Sequence, residues 1–282
     1  MGTFKSFFKS VDKRKFNTWC KWTNRLDTYG CGCAHDCKYC YSKSLLNFRG
    51  LWNAEAPSVA DIKAIEKKIS KLLPNTVVRL GGMTDCFQPI ELKERVTYET
   101  IKLLNKHGIH YLIVTKSHVV ADDEYIAILD KKLAHIQITI TSTDDERCAS
   151  YEKASPPSLR IMAIEKLQRS GFDVSVRLSP FIPQLVDISK INAIKCDKIL
   201  IEFLKVNTWI KKWFDIDYSE YTLKHGGYNH LPLDRKIELV GMITGFEQKT
   251  VGEYVDEHYK YFRDNVNYNK DDCCNLSMSE GV

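Results

Sequence analysis

Three cysteines on one short loop constrain this chain more than any other feature of its sequence. Cys33, Cys37 and Cys40 lie within Tyr-Gly-Cys-Gly-Cys-Ala-His-Asp-Cys-Lys-Tyr-Cys-Tyr at residues 29–41. Three thiolates on one loop can hold three corners of a [4Fe–4S] cluster and leave the fourth iron without a protein ligand. Such an iron can bind and activate a small molecule. The loop therefore predicts a reactive metal cluster.

Two other uses of cysteine compete with this interpretation. Cys31 brings four thiols into ten residues, so a structural zinc site with four cysteine ligands is arithmetically possible. Zinc ribbons and fingers usually carry two ligand pairs separated by a longer arm, which this loop lacks. Disulfides are disfavoured because the ten cysteines lie at irregular intervals in 282 residues with no secretory signal, which is typical of a reducing cytosol. We therefore predict a cytoplasmic protein in which Cys31 is not a ligand.

The first 25 residues combine basic and aromatic side chains, in a chain of net charge +5. The basic residues are Lys5, Lys9, Lys13, Arg14, Lys15, Lys21 and Arg25, and the aromatic ones are Phe4, Phe7, Phe8, Phe16, Trp19 and Trp22. Such an arm can follow the phosphates of a nucleic acid and stack on its bases. Equally, its rings can pack on the fold while its lysines stay in water. Both interpretations stay open.

Short apolar runs alternate with longer helical patterns over most of the chain. The runs are rich in Val and Ile and mostly lack polar alternation, as expected of strands buried on both faces of a parallel sheet. A first strand is predicted near Leu26–Tyr29, entering the cysteine loop. The further predicted strands are Val77–Leu80, Tyr111–Val114, Ile136–Ile140, Val174–Leu178 and Lys198–Phe203.

Helical patterns fill the intervals, with start and stop residues typical of helix ends. The first predicted helix, Val59–Leu73, is capped by Ser58 and stopped by Pro74. The other predicted helices are Glu91–His107, Asp122–Lys132, Ser158–Ser170, Leu233–Gly245 and Val251–Asp264.

This alternation of strands and helices indicates a parallel sheet with right-handed crossovers. The predicted fold class is α/β, a partial (β/α)6 TIM-like barrel with the cysteine loop at its carboxyl end, where such folds place their chemistry. The predicted organisation is a basic and aromatic N-terminal arm at 1–25, the barrel at 26–205, and a C-terminal extension at 206–282 with helices and a cysteine-containing tail. No apolar run approaches about eighteen residues, so no membrane-spanning helix is expected.

The cysteine spacing, with aromatic Tyr39 just before the last cysteine, resembles the signature of the radical S-adenosylmethionine (SAM) enzymes. In that family the methionyl group of SAM chelates the open iron, and an electron from the cluster cleaves SAM to give a 5′-deoxyadenosyl radical. The resemblance implies the radical SAM barrel core, a [4Fe–4S] cluster and SAM as cofactors. It also implies an external one-electron donor of the flavodoxin or ferredoxin type.

The loops after the second and third predicted strands carry candidate SAM contacts. Gly81 and Gly82 allow close approach of the backbone, and their carbonyls can accept hydrogen bonds from an ammonium. This pair is similar to the family's glycine-rich motif, which binds the methionyl amine. Lys116 is placed to pair with the SAM carboxylate, although it could be an ordinary loop lysine.

Further candidates lie along the cysteine loop and the later strands. Thr139 and Ser142 could bond the ribose, although threonine is also simply a good strand former. Arg177 interrupts an apolar strand and needs a partner, either a carboxylate of cofactor or substrate or an internal salt bridge. Tyr39 is predicted to pack against adenine, and Tyr41 to face the substrate.

Motifs between residues 29 and about 185 resemble the spore photoproduct lyase-like branch of the family. Besides the cysteine loop they are Thr84–Asp85, Gln88–Glu91, Thr115–Ser117, Thr143–Glu146 and Pro156–Arg160. True spore photoproduct lyases return a hydrogen from a cysteine whose position Met83 occupies here, and a thioether has no S–H hydrogen. Cys86 could substitute, or could be a small apolar filler. Thymine-dimer repair is therefore not expected.

Two distal features are ambiguous. The segment 224–233 combines two histidines, a tyrosine and a glycine pair, and could contact substrate or simply cap the next helix. Cys273 and Cys274 could hold a second metal, pass electrons or be incidental.

The leading hypothesis is a radical SAM enzyme, lyase-like, that abstracts hydrogen from an unidentified substrate, with nucleic acid as a candidate. The alternative is a nucleic-acid-binding module with a metal-stabilised cysteine loop and no radical chemistry. A third hypothesis is a structural protein stabilised by zinc. The sequence does not decide the substrate, the bond altered or the fate of SAM.

Overall fold

The computed structural model describes residues 4–9, 21–276 and 278 of the chain. The strands are β1 (Phe7–Lys9), β2 (Asn24–Leu26), β3 (Tyr29–Gly30), β4 (Ser58–Val59), β5 (Val77–Leu80), β6 (His110–Thr115), β7 (Ala134–Ile140), β8 (Asp173–Phe181), β9 (Lys198–Phe203), β10 (Leu223–His225), β11 (Tyr228–His230) and β12 (Gln248–Val251). The helices are α1 (Tyr41–Phe48), α2 (Ile62–Ile69), α3 (Glu91–Glu94), α4 (Val96–Lys106), α5 (Asp123–Ile126), α6 (Asp145–Ala149), α7 (Pro157–Arg169), α8 (Ile188–Asn192), α9 (Thr208–Trp213), α10 (Leu233–Gly241) and α11 (Asp256–Asn265).

One large sheet organises the molecule, in the strand order β1–β2–β5–β6–β7–β8–β9–β12. β1 pairs antiparallel with β2, and the other neighbouring pairs are parallel. Within the described segments β1 and β12 are free edges, so the sheet does not close. The α/β class and the partial TIM-like barrel predicted from the sequence are confirmed.

The central strands have two chemically different faces. Their outer residues pack under the helices in the main hydrophobic core, and include Val78, Leu80, Ile136, Ile138, Val176 and Leu178. Each such apolar side chain contributes about 1.5–3 kcal/mol when buried. Their inner residues include the polar set Arg79, Thr139, Arg177 and Glu202. The prediction that these strands are buried on both faces is confirmed for the central strands, although several inner residues are polar and line a cavity.

Two boundaries near the cysteine loop differ from prediction. β2 ends at Leu26, and the carboxylate of the next residue, Asp27, accepts hydrogen bonds from the backbone of the β5 exit loop. Ser58 is not a helix cap, because it pairs with Gly30 in a small antiparallel sheet. Asp61 caps α2 instead, accepting a hydrogen bond from the Lys63 N–H at 2.9 Å.

Three predicted helices also differ. The helix expected at Glu91–His107 is split into α3 and α4 by Arg95, whose φ of 57° is left-handed. Only the first turn of the helix expected at Asp122–Lys132 forms, as α5. Val251 ends strand β12, which extends the sheet beside β9, so the last helix begins at Asp256. Across the described segments, no helix combines the length and apolar character needed to cross a bilayer.

The C-terminal tail lies against the inner face of the barrel. Cys274 and Leu276 pack with Val77 of β5 and Leu112 of β6 in a second, smaller apolar cluster. Leu276 is 6% exposed. Because Val77 is the first residue of its strand, this cluster lies toward the amino end of the barrel interior.

Hydrogen bonds extend this contact across the sheet. Gln137 Nε2 donates to the Cys274 carbonyl oxygen at 3.1 Å, and Lys198 Nζ donates to the Asn275 carbonyl oxygen at 3.2 Å. The Trp22 indole N–H donates to Asp272 Oδ1 at 2.9 Å. The tail thus spans the sheet from β2 to β9 and forms a floor to the barrel interior.

The floor should contribute measurably to stability. Leu276→Ala is expected to lower the free energy of unfolding by about 2–4 kcal/mol, because it leaves a cavity among buried apolar groups. Met242→Ala, at a position 49% exposed, is the control and should change it by less than about 0.5 kcal/mol. Urea unfolding measures both, and equal stabilities would show that the tail does not pack against the sheet.

Candidate active site

A cavity of about 500 Å³ opens at the carboxyl ends of the strands. The structure brings most of the predicted site residues together on its wall: Cys33, Cys37, Tyr39, Cys40, Tyr41, Gly81, Gly82, Lys116, Thr139 and Arg177. It does not place Ser142 or Cys86 there.

The cysteine loop forms one side of the cavity. Two tight turns space its thiols: the Asp36 N–H donates to the Cys33 carbonyl oxygen and the Cys40 N–H to that of Cys37, each at 3.1 Å. None of the three cysteines is in a disulfide. Burial raises the pKa of the Cys33 thiol to about 12. Burial also raises the pKa of the Cys37 thiol, so Cys33 and Cys37 need a cation to become thiolates, which couples metal binding to proton release.

The three loop sulfurs are not gathered as the ligands of a single ion would be. Sulfurs bound to one tetrahedral zinc lie about 4 Å apart, because each Zn–S bond is about 2.3 Å. Among the described residues, the group whose ligand atoms all lie within 4.8 Å of one another is Asp272, Cys273 and Cys274, not the loop cysteines. Cys33, Cys37 and Cys40 line one cavity wall, and three such thiolates would suit three irons of a [4Fe–4S] cluster, which would leave the fourth iron without a protein ligand.

A buried carboxylate fixes the cysteine loop from behind. Glu152 accepts hydrogen bonds from the Tyr39 hydroxyl, the Arg160 guanidinium and, at 3.1 Å, the Thr141 hydroxyl. The Glu152 and Arg160 side chains are fully buried as an ion pair. Burial alone would raise the pKa of Glu152, but the positive charges of Arg160 and Lys116 outweigh it and lower the pKa to about 2.

Asp85 joins the cysteine loop to two strand exits. Its carboxylate accepts hydrogen bonds from the Thr115 hydroxyl and the Lys116 backbone N–H, each at 2.7 Å, and lies 3.4 Å from His35 Nδ1. Burial would raise the pKa of Asp85, but His35 and these hydrogen bonds lower it to about 2. The fixed backbone places Lys116 on the cavity wall.

The paired glycines occupy positions that other residues would fill badly. Gly81 has a φ of +80°, and a Cβ there would lie 2.7 Å from the Val114 carbonyl oxygen. The Gly82 N–H donates to Asp27 Oδ1 at 2.6 Å, and the Gly82 carbonyl accepts from the Tyr41 hydroxyl at 3.3 Å. The loop is therefore held close to the start of α1.

The strand residues on the wall are partly committed to internal contacts. Arg177 donates to Gln137 Oε1 and to Glu202 Oε2, each at 2.5 Å, so it forms the internal salt bridge that the sequence left open. Ser179 also donates to Glu202 Oε2, at 2.7 Å. Thr139 lines the cavity without being exposed, at 2%.

Two predicted site residues lie elsewhere. The Ser142 hydroxyl donates to the Leu185 carbonyl oxygen at 2.9 Å, so it is used within the protein rather than presented to a ribose. Cys86 is 1% exposed within the main hydrophobic core, and burial raises the pKa of its thiol well above the usual value. This placement matches the apolar filler rather than a hydrogen donor.

The aromatic residues of the cysteine loop differ in setting. The Tyr39 ring packs against Tyr151 and Phe214, with centroids 5.8 Å away in each case. The Tyr39 ring is therefore packed against other side chains on one side, although the residue also lines the cavity. Tyr41 is 49% exposed and stands at the cavity rim.

The distal segments reach the same cavity. The segment 224–233 contains the hairpin β10–β11, and its His230 lines the cavity. Cys273 and Cys274 line it from the floor, with their sulfurs 3.9 Å apart. The sequence could not predict that these two cysteines line the cavity, because their position depends on where the tail folds.

Residues 28–189 match the radical SAM superfamily, and the chain belongs to that family. Members of this superfamily are enzymes that use an iron–sulfur cluster and SAM.

Curated relatives cover part of the chain. It is 27% identical to the uncharacterized protein MJ0683 of Methanocaldococcus jannaschii over 57% of this chain and 61% of that protein. It is 26% identical to the uncharacterized protein Rv2578c of Mycobacterium tuberculosis over 55% of this chain and 49% of that protein. The chain thus spans about half to three fifths of the length of these relatives.

Solved structures show the same fold at low sequence identity. Spore photoproduct lyase complexed with dinucleoside spore photoproduct superposes with a TM-score of 0.60 and 14% identity, over 90% of this chain and 81% of that one. The enzyme anSMEcpe with bound AdoMet gives a TM-score of 0.50 and 11% identity, over 78% of this chain and 59% of that one. At these identities the likeness concerns the fold alone.

The Glu152–Arg160 pair gives a direct stability test. Glu152→Gln is expected to lower the free energy of unfolding by about 3–5 kcal/mol at neutral pH, because Arg160 is left buried without a counter-charge. In the unmodified protein, ionised Glu152 stabilises the fold. This stabilisation is fully present above the ordinary glutamate pKa of about 4.3 and is lost as the pH falls toward 2.

Urea unfolding of the metal-free protein measures the effect. The control is Glu99→Gln, which removes an exposed partner 3.2 Å from Lys102 and should cost less than about 1 kcal/mol. A Glu152→Gln protein as stable as this control would contradict the assigned role of the buried pair.

Proposed function

We propose that this enzyme cleaves SAM reductively and uses the resulting 5′-deoxyadenosyl radical to abstract hydrogen from a substrate not yet identified. The observation that carries the proposal is the shared cavity. The loop cysteines, the paired glycines and Lys116 come from separate segments, and all of them line one cavity at the carboxyl ends of the strands.

In this proposal Cys33, Cys37 and Cys40 hold a [4Fe–4S] cluster. When bound and reduced, such a cluster supplies the electron that cleaves SAM. The protein's part is to hold three thiolates at fixed spacing and to leave one corner open to the cavity. Asp85 and Glu152 stay ionised behind the loop and fix its backbone and Tyr39. The electron comes from an external donor of the flavodoxin or ferredoxin type.

The remaining wall residues would orient SAM. Carbonyl groups at Gly81 and Gly82 accept hydrogen bonds from the methionyl ammonium, and Lys116 pairs with the methionyl carboxylate. Thr139 and Tyr39 border the adenosyl group. Arg177 would add its positive charge to the cavity wall, at a position fixed by its salt bridge with Glu202.

The substrate would occupy the cavity between the cysteine loop and the tail floor. Met83 lines this space and lacks an S–H hydrogen, so we do not propose thymine-dimer repair. Nucleic acid remains a candidate substrate class, because a structural neighbour was solved with a dinucleoside. We propose that the protein has three parts: an N-terminal arm at 1–25, a barrel at 26–205 and a C-terminal extension at 206–282.

The nucleic-acid-binding alternative stays a prediction. Much of the basic, aromatic arm on which it rests, residues 10–20, lies outside the described residues. In the described part, β1 (Phe7–Lys9) pairs with β2 at the sheet edge.

Product analysis tests the reaction directly. Anaerobically reconstituted protein, given dithionite and SAM, is expected to form 5′-deoxyadenosine, measured by liquid chromatography and mass spectrometry. Cys37→Ala is expected to abolish it because the cluster loses a ligand. The neighbouring Cys31→Ala is the matched control and should retain it. A fully loaded cluster that yields no 5′-deoxyadenosine would contradict the proposal.

SAM affinity tests the role of Lys116. Lys116→Met should weaken SAM binding about 10- to 100-fold, since a hydrogen bond to a charged group contributes about 1.5–3 kcal/mol. Lys153→Met, near the same loop but 72% exposed, is the control and should bind SAM normally. Calorimetry on reconstituted protein measures both. Unchanged affinity in a folded Lys116→Met protein would remove this lysine from the SAM site.

A further inference from the structure

Lys205 is a cation on the cavity wall to which the described residues supply no carboxylate partner. It follows strand β9 by two residues. The backbone is fixed there, because the Val206 N–H donates to the Asn229 carbonyl oxygen at 3.0 Å and the Asn229 N–H donates back at 2.8 Å. Within the described segments no carboxylate oxygen lies within 4.0 Å of Lys205 Nζ, and no hydrogen bond reaches it.

Three tyrosine rings surround the ammonium. Lys205 Nζ lies 4.4 Å from the ring centroid of Tyr254, 5.9 Å from that of Tyr228 and 6.0 Å from that of Tyr41. We call these three rings the tyrosine box. Cation–π contacts attract the ammonium but leave its charge unneutralised.

The nearest carboxylates are already committed to other groups. Glu202 binds Arg177 and Ser179. Glu253 accepts a hydrogen bond from Lys236 Nζ at 2.5 Å and another from the Tyr254 N–H at 3.1 Å. Burial lowers the pKa of Lys205 despite the charges of these two carboxylates. The cavity therefore keeps a lysine whose charged form lacks a close anionic partner.

We infer that Lys205 and the tyrosine box form a subsite for an oxyanion of the substrate, a carboxylate or a phosphate. An ammonium offers three hydrogen-bond donors, and the three rings do not use them, so they are available to an oxyanion. This inference rests on the proposed function, since it assigns an acidic group to the molecule that this cavity would process.

The position of the box explains what the subsite would do. Tyr41 directly follows Cys40, and its hydroxyl donates to the Gly82 carbonyl oxygen at 3.3 Å. An oxyanion at Lys205 would therefore hold the remainder of its molecule beside the cysteine loop and the glycine pair. This arrangement selects acidic substrates and orients them before hydrogen abstraction.

Lysine methyl groups can report the subsite without any turnover. The full chain, reconstituted anaerobically, is dimethylated on its lysines with ¹³C-formaldehyde, which preserves their charge and one N–H donor. The Lys205 signal is identified by its absence in Lys205→Arg. Inorganic phosphate and acetate are the two probes, each titrated at constant ionic strength by NMR.

A saturable shift of the Lys205 signal is expected, with phosphate or acetate binding at least tenfold more tightly there than at Lys211. Lys211 is the matched control, because its Nζ lies 5.6 Å from the Tyr218 ring centroid but the residue is exposed and outside the cavity wall. The tighter of the two probes indicates whether the substrate carries a phosphate or a carboxylate.

Two results would overturn the inference. The first is that neither phosphate nor acetate shifts the NMR signal of Lys205 more than it shifts the signal of Lys211. The other is displacement of phosphate from Lys205 by SAM alone, which would assign the subsite to the carboxylate of the cofactor. The anion titrations and the displacement by SAM need no cleavage of SAM. The test therefore separates this inference from the proposed reaction.

Discussion

The buried charge of Glu152 is the interaction on which the geometry of the site depends. Its carboxylate receives the Arg160 guanidinium and the Tyr39 hydroxyl, and so connects helix α7 with the middle of the cysteine loop. The next residue also contacts the cysteine loop, because the Lys153 N–H donates to the His35 carbonyl oxygen at 2.7 Å. A loop of three cysteines has no regular structure of its own. The hydrogen-bonded Glu152 behind it restrains the loop at Tyr39, between two of the three cysteines.

The interior of the barrel contains paired charges among its apolar residues. Arg177 pairs with Glu202 near the cavity, and Lys198 pairs with Asp173 at the amino end, with Nζ and Oδ1 2.6 Å apart. The tail covers that amino end. The radical of the proposed reaction would need such shielding, since exclusion of water and solutes prevents side reactions. Among the described residues Lys205 has no close anionic partner, which is why we infer an acidic substrate.

The sequence predicted much of the fold and the core of the candidate site, for reasons of local pattern. β9 matches its predicted bounds, and α7 differs by one residue at each end, because apolar runs and helix-end residues are local signals. The cysteine loop and Lys116 were found by spacing and by their place after strands. Glu152 and Lys205 carried no local signal, because their partners are distant in sequence. Val251 was mistaken for helix, since a short apolar run fits either structure until its neighbour β9 is known.

In the proposed reaction, three thiolates hold a four-iron cluster with one iron open to SAM. ⁵⁷Fe Mössbauer spectroscopy of the anaerobically reconstituted protein tests it most directly, with spectra taken before and after SAM is added. The account predicts that SAM changes the signal of about one iron in four and leaves the others as thiolate-ligated iron. A loaded cluster whose irons all ignore SAM, or a protein that takes up zinc in place of a cluster, would contradict it.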